Sequence, residues 1–211
     1  IHDSTKYPYV TIDSFTSVMS GGTPDRGIPE YWTSGTIRWV KTTELQNCVI
    51  HDTEEHITQE GLDNSSAKLI PAGSILIAMY GQGKTRGMTG FLAVESTTNQ
   101  ACACILPSSA VNQTYLWQYM ILSYDKLRDM AKGGNQPNLN AGIIKELEIP
   151  FPSLKIQNKI AKIILKFLKE ILKKSLSFYF IYLLFQYFVL LHIFYTLHIL
   201  PRKKKVFLKI C

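Results

Sequence analysis

The sequence holds few of the residue sets that catalysis requires. No Asp or Glu is followed two positions later by Lys, which removes the carboxylate-x-Lys pair common in metal-dependent nucleases. Gly-x-Ser-x-Gly and His-Glu-x-x-His do not occur, and neither does the Asn-Pro-Pro-aromatic run of amino-methyltransferases. A domain with loops but no such set reads as a binding module rather than an enzyme. Cysteine is scarce as well: Cys48, Cys102, Cys104 and Cys211 include no Cys-x-x-Cys pair. The close histidines His51 and His56 lie in a polar stretch, so no zinc site is expected, nor any other cofactor. The cysteines read as buried thiols of a reducing compartment, the cytoplasm. No cationic segment followed by an apolar one opens the chain, so no secretory signal is read there, and a start at Ile1 instead of Met reads as a fragment.

What is present suffices for one domain with a core and one appended element: 211 residues, 46% hydrophobic and 18% charged. That composition excludes disorder and collagen-like repeats. A formal charge of +7 points to nucleic acid or membrane, but the charge is unevenly placed. Residues 1–153 carry 11 basic and 15 acidic side chains, residues 154–174 carry seven Lys and one Glu, and the last ten carry five basic groups. The globular part is mildly acidic, so DNA binding has to rest on local placement of cations.

Strands are expected at 9–12, 36–41, 74–80, 91–95 and 101–106, with Ile37, Trp39 and Lys41 on one side of the second and Arg38 and Val40 on the other. Ser20-Gly21-Gly22-Thr23-Pro24 and Pro71-Ala72-Gly73 have turn chemistry. Asp52 and Glu55 have capping-box spacing for a short helix that Gly61 would close. Asn112 can cap a helix ending at Gly133-Gly134, with Leu116, Tyr119, Met120 and Leu127 as its buried stripe. The irregular mix predicts an α+β fold over residues 1–152, without regular βαβ alternation.

Pro150 and Pro152 bracket the end of that domain, and Ser153 is a candidate cap for a long amphipathic helix over 153–174. Ile156, Ile160, Ile163 and Phe167, beside Ile164, Leu168 and Ile171, give it a wide apolar face. Six lysines from Lys155 to Lys173 advance by alternating steps of four and three along another. This coiled-coil-type spacing suggests a helix that pairs with another copy or another subunit. Residues 175–200 contain no Asp, Glu, Lys or Arg and hold nine aromatics, followed by Arg202 to Lys205. By length and charge this is a membrane-span candidate. A frameshift in an A/T-rich gene encodes the same residue types, and an aberrant tail over 175–211 is the favoured reading.

Residues 78–85, Ala-Met-Tyr-Gly-Gln-Gly-Lys-Thr, fit a relaxed phosphate-loop pattern of a nucleotide-binding protein. That chemistry needs a helix directly after Lys-Thr, whereas Arg86-Gly87-Met88-Thr89-Gly90 and a strand-like Phe-Leu-Ala-Val follow. The segment reads better as a glycine-rich loop that brings backbone amides, Lys84 and Arg86 up to an extended anion such as a DNA backbone.

Three ordered stretches then converge. SGGTPDRGIPEYWTSGTIRWVKTTEL, AGSILIAMYGQGKTRGMTGFLAVESTTNQACACILP and GGNQPNLNAGIIKELEIPFPSLKIQNKIAKII resemble the target-recognition domain and following helix of the specificity subunit of type I restriction-modification systems, over about residues 7 to 168. The resemblance implies a non-catalytic, mixed α/β domain that reads one half of a bipartite site in double-stranded DNA. It also implies a spacer and dimerisation helix, and partner methyltransferase and restriction subunits that do the chemistry. Members usually carry two such units and this chain has one, so it is a fragment or pairs with a second specificity half or with itself through the 153–174 helix. Carried over, the loop residues Tyr80, Gln82, Lys84, Thr85 and Arg86 would face DNA and position phosphates, with base readout in the loops at 45–70 and 107–133. Asn99-Gln100 stay ambiguous, and Asn135, Gln136 and Asn138 read more as turn residues than as DNA contacts.

Overall fold

The computed structural model describes residues 7–81, 83–130 and 139–174, with the single residue 189. Gln82, the 131–138 segment with Gly133-Gly134, Asn135, Gln136 and Asn138, and the apolar tail of 175–200 with its basic flank therefore lie outside the described residues, Val189 apart. The structure is mixed α/β. In chain order its elements are β1 (Tyr9–Thr11), β2 (Val18–Ser20), β3 (Ile37–Val40), β4 (Cys48–Ile50), β5 (Glu55–Ile57), α1 (Gln59–Asp63), β6 (Ile75–Ala78), β7 (Thr89–Leu92), β8 (Thr97–Thr98), β9 (Cys102–Ile105), α2 (Gln113–Leu122), α3 (Tyr124–Met130), α4 (Ala141–Lys145), β10 (Glu148–Pro150) and α5 (Leu154–Lys174).

The chain divides into two compact units, one of Thr11–Glu148 and the other of the segments before and after it. The central unit holds a five-stranded sheet, in the order β2-β9-β6-β7-β4, and a three-stranded one, β5-β3-β8. All pairs are antiparallel except β4 with β7 and β3 with β8. In β6 and β9 every residue is buried, because both faces of the sheet are covered. A strand buried on both faces has no polar side, which is why Ile-Leu-Ile-Ala reads as a continuous apolar run. Leu76, Ala78, Cys102 and Cys104 pack on one face with Val40, Leu45, Ile50, Ile70 and Leu92. By the two-residue period Ile75, Ile77, Ala103 and Ile105 occupy the other face, also buried. Each fully buried Ile or Leu contributes about 2 kcal/mol.

The three-stranded sheet has its own cluster, in which Trp39, Ile57 and Ala67 pack with Trp32, Ile37 and Leu62. The Trp39 indole donates to the Gly22 carbonyl at 3.0 Å. The Arg26 guanidinium lies 3.6 Å from the Trp32 ring centre and 4.7 Å from that of Trp39, and its Nη1 pairs with Glu55. Lys41 Nζ reaches the other Glu55 oxygen at 3.0 Å. Partial burial would raise the Glu55 carboxyl, but the hydrogen bonds from Arg26 and Lys41 outweigh it and hold the group below its ordinary range.

In the unit formed by the outer segments, β1 pairs with β10, and the Phe151 amide donates to the Pro8 carbonyl at 2.8 Å. α5 follows directly after Ser153 and is 21 residues long, about 30 Å.

Local readings are corrected at five places. The Asp52–Glu55 spacing caps no helix: Glu55 starts β5, and α1 begins at Gln59 with the Thr58 hydroxyl accepting from the Gly61 amide at 3.1 Å. Gly61 sits inside α1, not after it, where a Cβ would come 2.8 Å from the Tyr31 carbonyl oxygen. Gly21 and Gly22 form no turn. Their segment lies against other backbone, with a Cβ on Gly21 placed 2.0 Å from the Thr98 carbonyl oxygen and one on Gly22 placed 2.3 Å from the Ser66 carbonyl carbon. Asn112 does cap its helix, accepting from the Tyr115 amide at 2.9 Å, but α2 ends at Leu122 and α3 restarts after Ser123. Cys48 is exposed, unlike the buried Cys102 and Cys104. Burial pushes the Cys102 thiol up to about 12, which keeps it protonated.

Two outcomes follow for stability. Gly21→Ala should cost about 3 kcal/mol or more, since backbone on both sides must move, whereas Gly83→Ala, whose Cβ would meet nothing within 4 Å, should cost only about 1–2 kcal/mol from its positive φ. Urea denaturation followed by circular dichroism gives both values. A carboxyl held below its unfolded value stabilises the fold above the ordinary carboxylate range and loses that contribution as pH falls through the folded value. Stability measured from pH 7 to pH 3 should therefore fall less steeply in Glu55→Gln than in the parent chain.

Candidate nucleic-acid interface

β6 and β7 pair antiparallel with Ile77 opposite Thr89, so residues 79–88 form the loop of a hairpin. Its base is closed by Ala78 N–H to Met88 O and Gly87 N–H to Ala78 O, both 2.9 Å, and its return is tightened by Met88 N–H to Thr85 O at 2.9 Å. Glycine is required along it: φ is 144° at Gly81, 60° at Gly83 and 89° at Gly87. Gly83 is the open point, with no atom near its missing side chain, whereas a Cβ on Gly87 would lie 3.2 Å from the Tyr124 ring.

Of the residues expected to face DNA, Tyr80 is 43% exposed and Lys84 is exposed, while Thr85 and Arg86 are half-buried. Gln82 lies outside the described residues. Lys84 bonds through its backbone carbonyl, which accepts from Tyr124 Oη at 2.8 Å, and its ammonium faces solvent. Arg128 Nη1 donates to the Arg86 carbonyl at 2.9 Å. Next to the loop, the Thr89 hydroxyl accepts from the Trp117 indole at 2.9 Å and donates to Asn47 Oδ1 at 3.0 Å. Sequence reasoning missed Tyr124, Arg128, Trp117 and Asn47. The i, i+4 placement of Tyr124 and Arg128 on one helix face was the available signal, but nothing local says that the face meets a loop forty residues earlier.

The nucleotide-binding alternative for residues 78–85 is not favoured. After Thr85 the chain turns through Arg86 and Gly87 into β7, so no helix N-terminus supplies free amides to a phosphate. His56 lies on β5 with its Nε2 3.2 Å from Asp52, which also pairs with Arg38 at 3.0 Å. Among the described residues no group of three or more His, Cys, Asp or Glu could hold a metal ion, and no helix is long and apolar enough to cross a membrane.

On α5, Gln157, Ile160, Ala161 and Ile164 are buried. Of the four residues expected at an interface, Ile160 is thus already covered, Ile156 and Phe167 are half-buried, and Ile163 is 39% exposed, beside the exposed Leu154 and Leu165. Lys155, Lys159, Lys162, Lys166 and Lys169 are all exposed.

The pattern of the type I restriction modification DNA specificity domain matches residues 3–177. The chain is 32% identical over 162 residues to the type I restriction enzyme MjaIX specificity subunit of Methanocaldococcus jannaschii, covering 72% of this chain and 36% of the relative. It is 30% identical over 161 residues to the EcoR124I/EcoR124II specificity subunit of Escherichia coli, covering 74% and 40%. The chain thus spans well under half the length of these relatives. Among solved structures, the HsdS subunit from Thermoanaerobacter tengcongensis superimposes with a TM-score of 0.61 at 11% identity, over 94% of this chain and 46% of that one. A chain from a type I R-M system studied for complex assembly and conformational transition gives 0.61 at 13% identity, over 94% and 47%. These two likenesses show the fold. With the family pattern covering most of its length, the chain belongs to the type I restriction modification DNA specificity domain family.

Proposed function

We propose that residues 1–152 read one half of a bipartite sequence in double-stranded DNA, as the non-catalytic specificity part of a type I restriction-modification complex in the cytoplasm. Methyltransferase and restriction subunits would bring the chemistry, and no cofactor is assigned to this chain. The observation that carries the reading is the 79–88 hairpin, which extends Lys84 into solvent beside an open glycine while its own carbonyls are tied down. Such a loop suits contact with a phosphate backbone, which fixes register without reading bases. The Lys84 and Arg86 side chains supply the charge, and base readout is left to other loops, in 45–70 and 107–133.

The 153–174 helix is proposed to act as a spacer arm that pairs, coiled-coil fashion, with a second specificity half or another copy. Burial of Ile160 turns attention to Ile163, with Ile156 and Phe167 flanking it, as the apolar surface left for a partner. The run of exposed lysines favours an antiparallel or acidic partner over an identical helix in parallel register.

Lys84→Ala with Arg86→Ala should weaken binding to every duplex alike, by roughly ten- to a hundredfold, and reduce the slope of log affinity against log salt by about two. Titration of the chain, assembled with its methyltransferase subunit, at several salt concentrations measures both. Selective loss at one base position with the slope intact would show that these side chains read bases. Ile163→Asp should dissolve the oligomer without lowering the melting temperature, whereas Ile160→Asp should lower it. Analytical ultracentrifugation together with calorimetry separates the two, and a parent chain that stays monomeric with and without the methyltransferase subunit would overturn the pairing arm.

A further inference from the structure

A ten-residue loop that grips an anion through one exposed lysine gains little if it must first be ordered, because immobilising backbone costs about 1–2 kcal/mol per residue. The 79–88 loop carries three glycines at positive φ, the residues that lose most freedom on ordering. Its own hydrogen bonds close the base and the return, and two further bonds reach it from α3. Tyr124 Oη donates to the Lys84 carbonyl at 2.8 Å, and one helical turn on Arg128 Nη1 donates to the Arg86 carbonyl at 2.9 Å. The two donors brace each other, with the guanidinium 5.2 Å from the Tyr124 ring centre, and Gly87 lets the loop backbone settle against both side chains. Both bonds fall on backbone carbonyls of the cation-bearing residues, so they set where the Lys84 and Arg86 side chains start.

We propose that Tyr124 and Arg128 are positioning residues that hold the 79–88 loop in its DNA-ready shape before DNA arrives, a role that rests on the phosphate-contact reading of that loop. The consequence is a specific split between affinity and charge count. A residue that touches phosphate lowers the salt slope when removed. A residue that only pre-orders the loop lowers affinity and leaves the slope unchanged, because the same cations still reach the same phosphates once the loop is ordered.

The test uses the full chain, assembled with its methyltransferase subunit, in four forms: parent, Tyr124→Phe, Arg128→Gln and Lys84→Ala. Two duplexes of unrelated sequence are titrated at four salt concentrations, and amide hydrogen exchange is followed on the DNA-free protein. Tyr124→Phe removes one hydroxyl and keeps the ring, and Arg128→Gln keeps a donor but removes the charge and the bracing. Expected for Tyr124→Phe are a three- to tenfold loss of affinity on both duplexes, an unchanged salt slope, and exchange at Gly87 and Met88 at least several-fold faster, with β6 and β9 amides as protected as in the parent. Arg128→Gln should behave alike. A drop of about one in the slope of either variant would make that residue a phosphate contact and overturn the positioning role. Unchanged exchange and affinity in Tyr124→Phe, with Lys84→Ala weakened, overturns this inference alone. Equal binding by Lys84→Ala and parent overturns the phosphate-contact reading and this inference with it.

Discussion

Two consecutive buried threonines join the two sheets of the central unit, and most of its geometry depends on them. In β8, Thr97 Oγ1 donates to the Arg38 carbonyl at 2.7 Å and Thr98 Oγ1 to the Val40 carbonyl at 3.0 Å, so β3 is bound along its edge by hydroxyls as well as by the parallel ladder. The Thr98 carbonyl accepts from Gly22 N–H at 2.8 Å, which draws the segment after β2 inward until only glycine fits. Four residues after Thr98 the chain is already in β9, next to the centre of the larger sheet. The Val40 carbonyl also accepts from the Asn99 amide at 3.2 Å, so the hydroxyl bonds add to the ladder, each by about 1 kcal/mol, and satisfy the two buried hydroxyls themselves.

From that junction the larger sheet supplies a stiff base for the loop. β6 is bonded on both sides, by β9 and β7, and its side chains are buried on both faces, so the hairpin leaves from one of the least mobile strands in the unit. α2 and α3 continue the support: Trp117 packs on Phe91 with ring centres 5.3 Å apart and donates to Thr89 just below the loop. The break at Ser123 matters here. Its amide donates to the Tyr119 and Met120 carbonyls, at 2.9 and 3.1 Å, and α3 restarts with Tyr124 as its first residue. Tyr124 and Arg128 lie one turn apart on α3, so both reach the loop from the same helix face.

Signals local to a few residues were legible in the sequence: the apolar strand within 74–80, the Asn112 cap, the buried stripe of α2 and α3, and the glycine-lysine loop between two strands. Two of the signals that failed depend on a distant partner. Glu55 is in a strand because β5 adds to β3 across Trp39, which overrides the capping-box spacing with Asp52. Gly21 and Gly22 have turn composition, but their role is close approach to residues 98 and 66, and composition carries no information on what approaches. Strands of two or three residues such as β2, β4, β5 and β8 are too short for a periodicity of two to register. The resemblance to specificity subunits supplied what spacing could not, because three ordered stretches carry the distant pairings implicitly.

Charge placement gives the last constraint on how such a domain would find DNA. The first 153 residues hold more carboxylates than cations, and ion pairs such as Arg26 with Glu55, Lys41 with Glu54, and Arg38 with Asp52 already consume several of those cations. Beyond a Debye length of about 8 Å at physiological salt, the field of that surface does not attract a duplex. Attraction is left to the few cations held away from carboxylates, of which Lys84 on its hairpin is one. A mildly repelling body with a small number of well-placed cations binds arbitrary DNA weakly, and that raises the ratio of specific to non-specific affinity on which a reader among many competing sites depends. Such an arrangement also makes the shape of the loop decisive, because it sets the direction of the few cations, Lys84 and Arg86, that the loop carries.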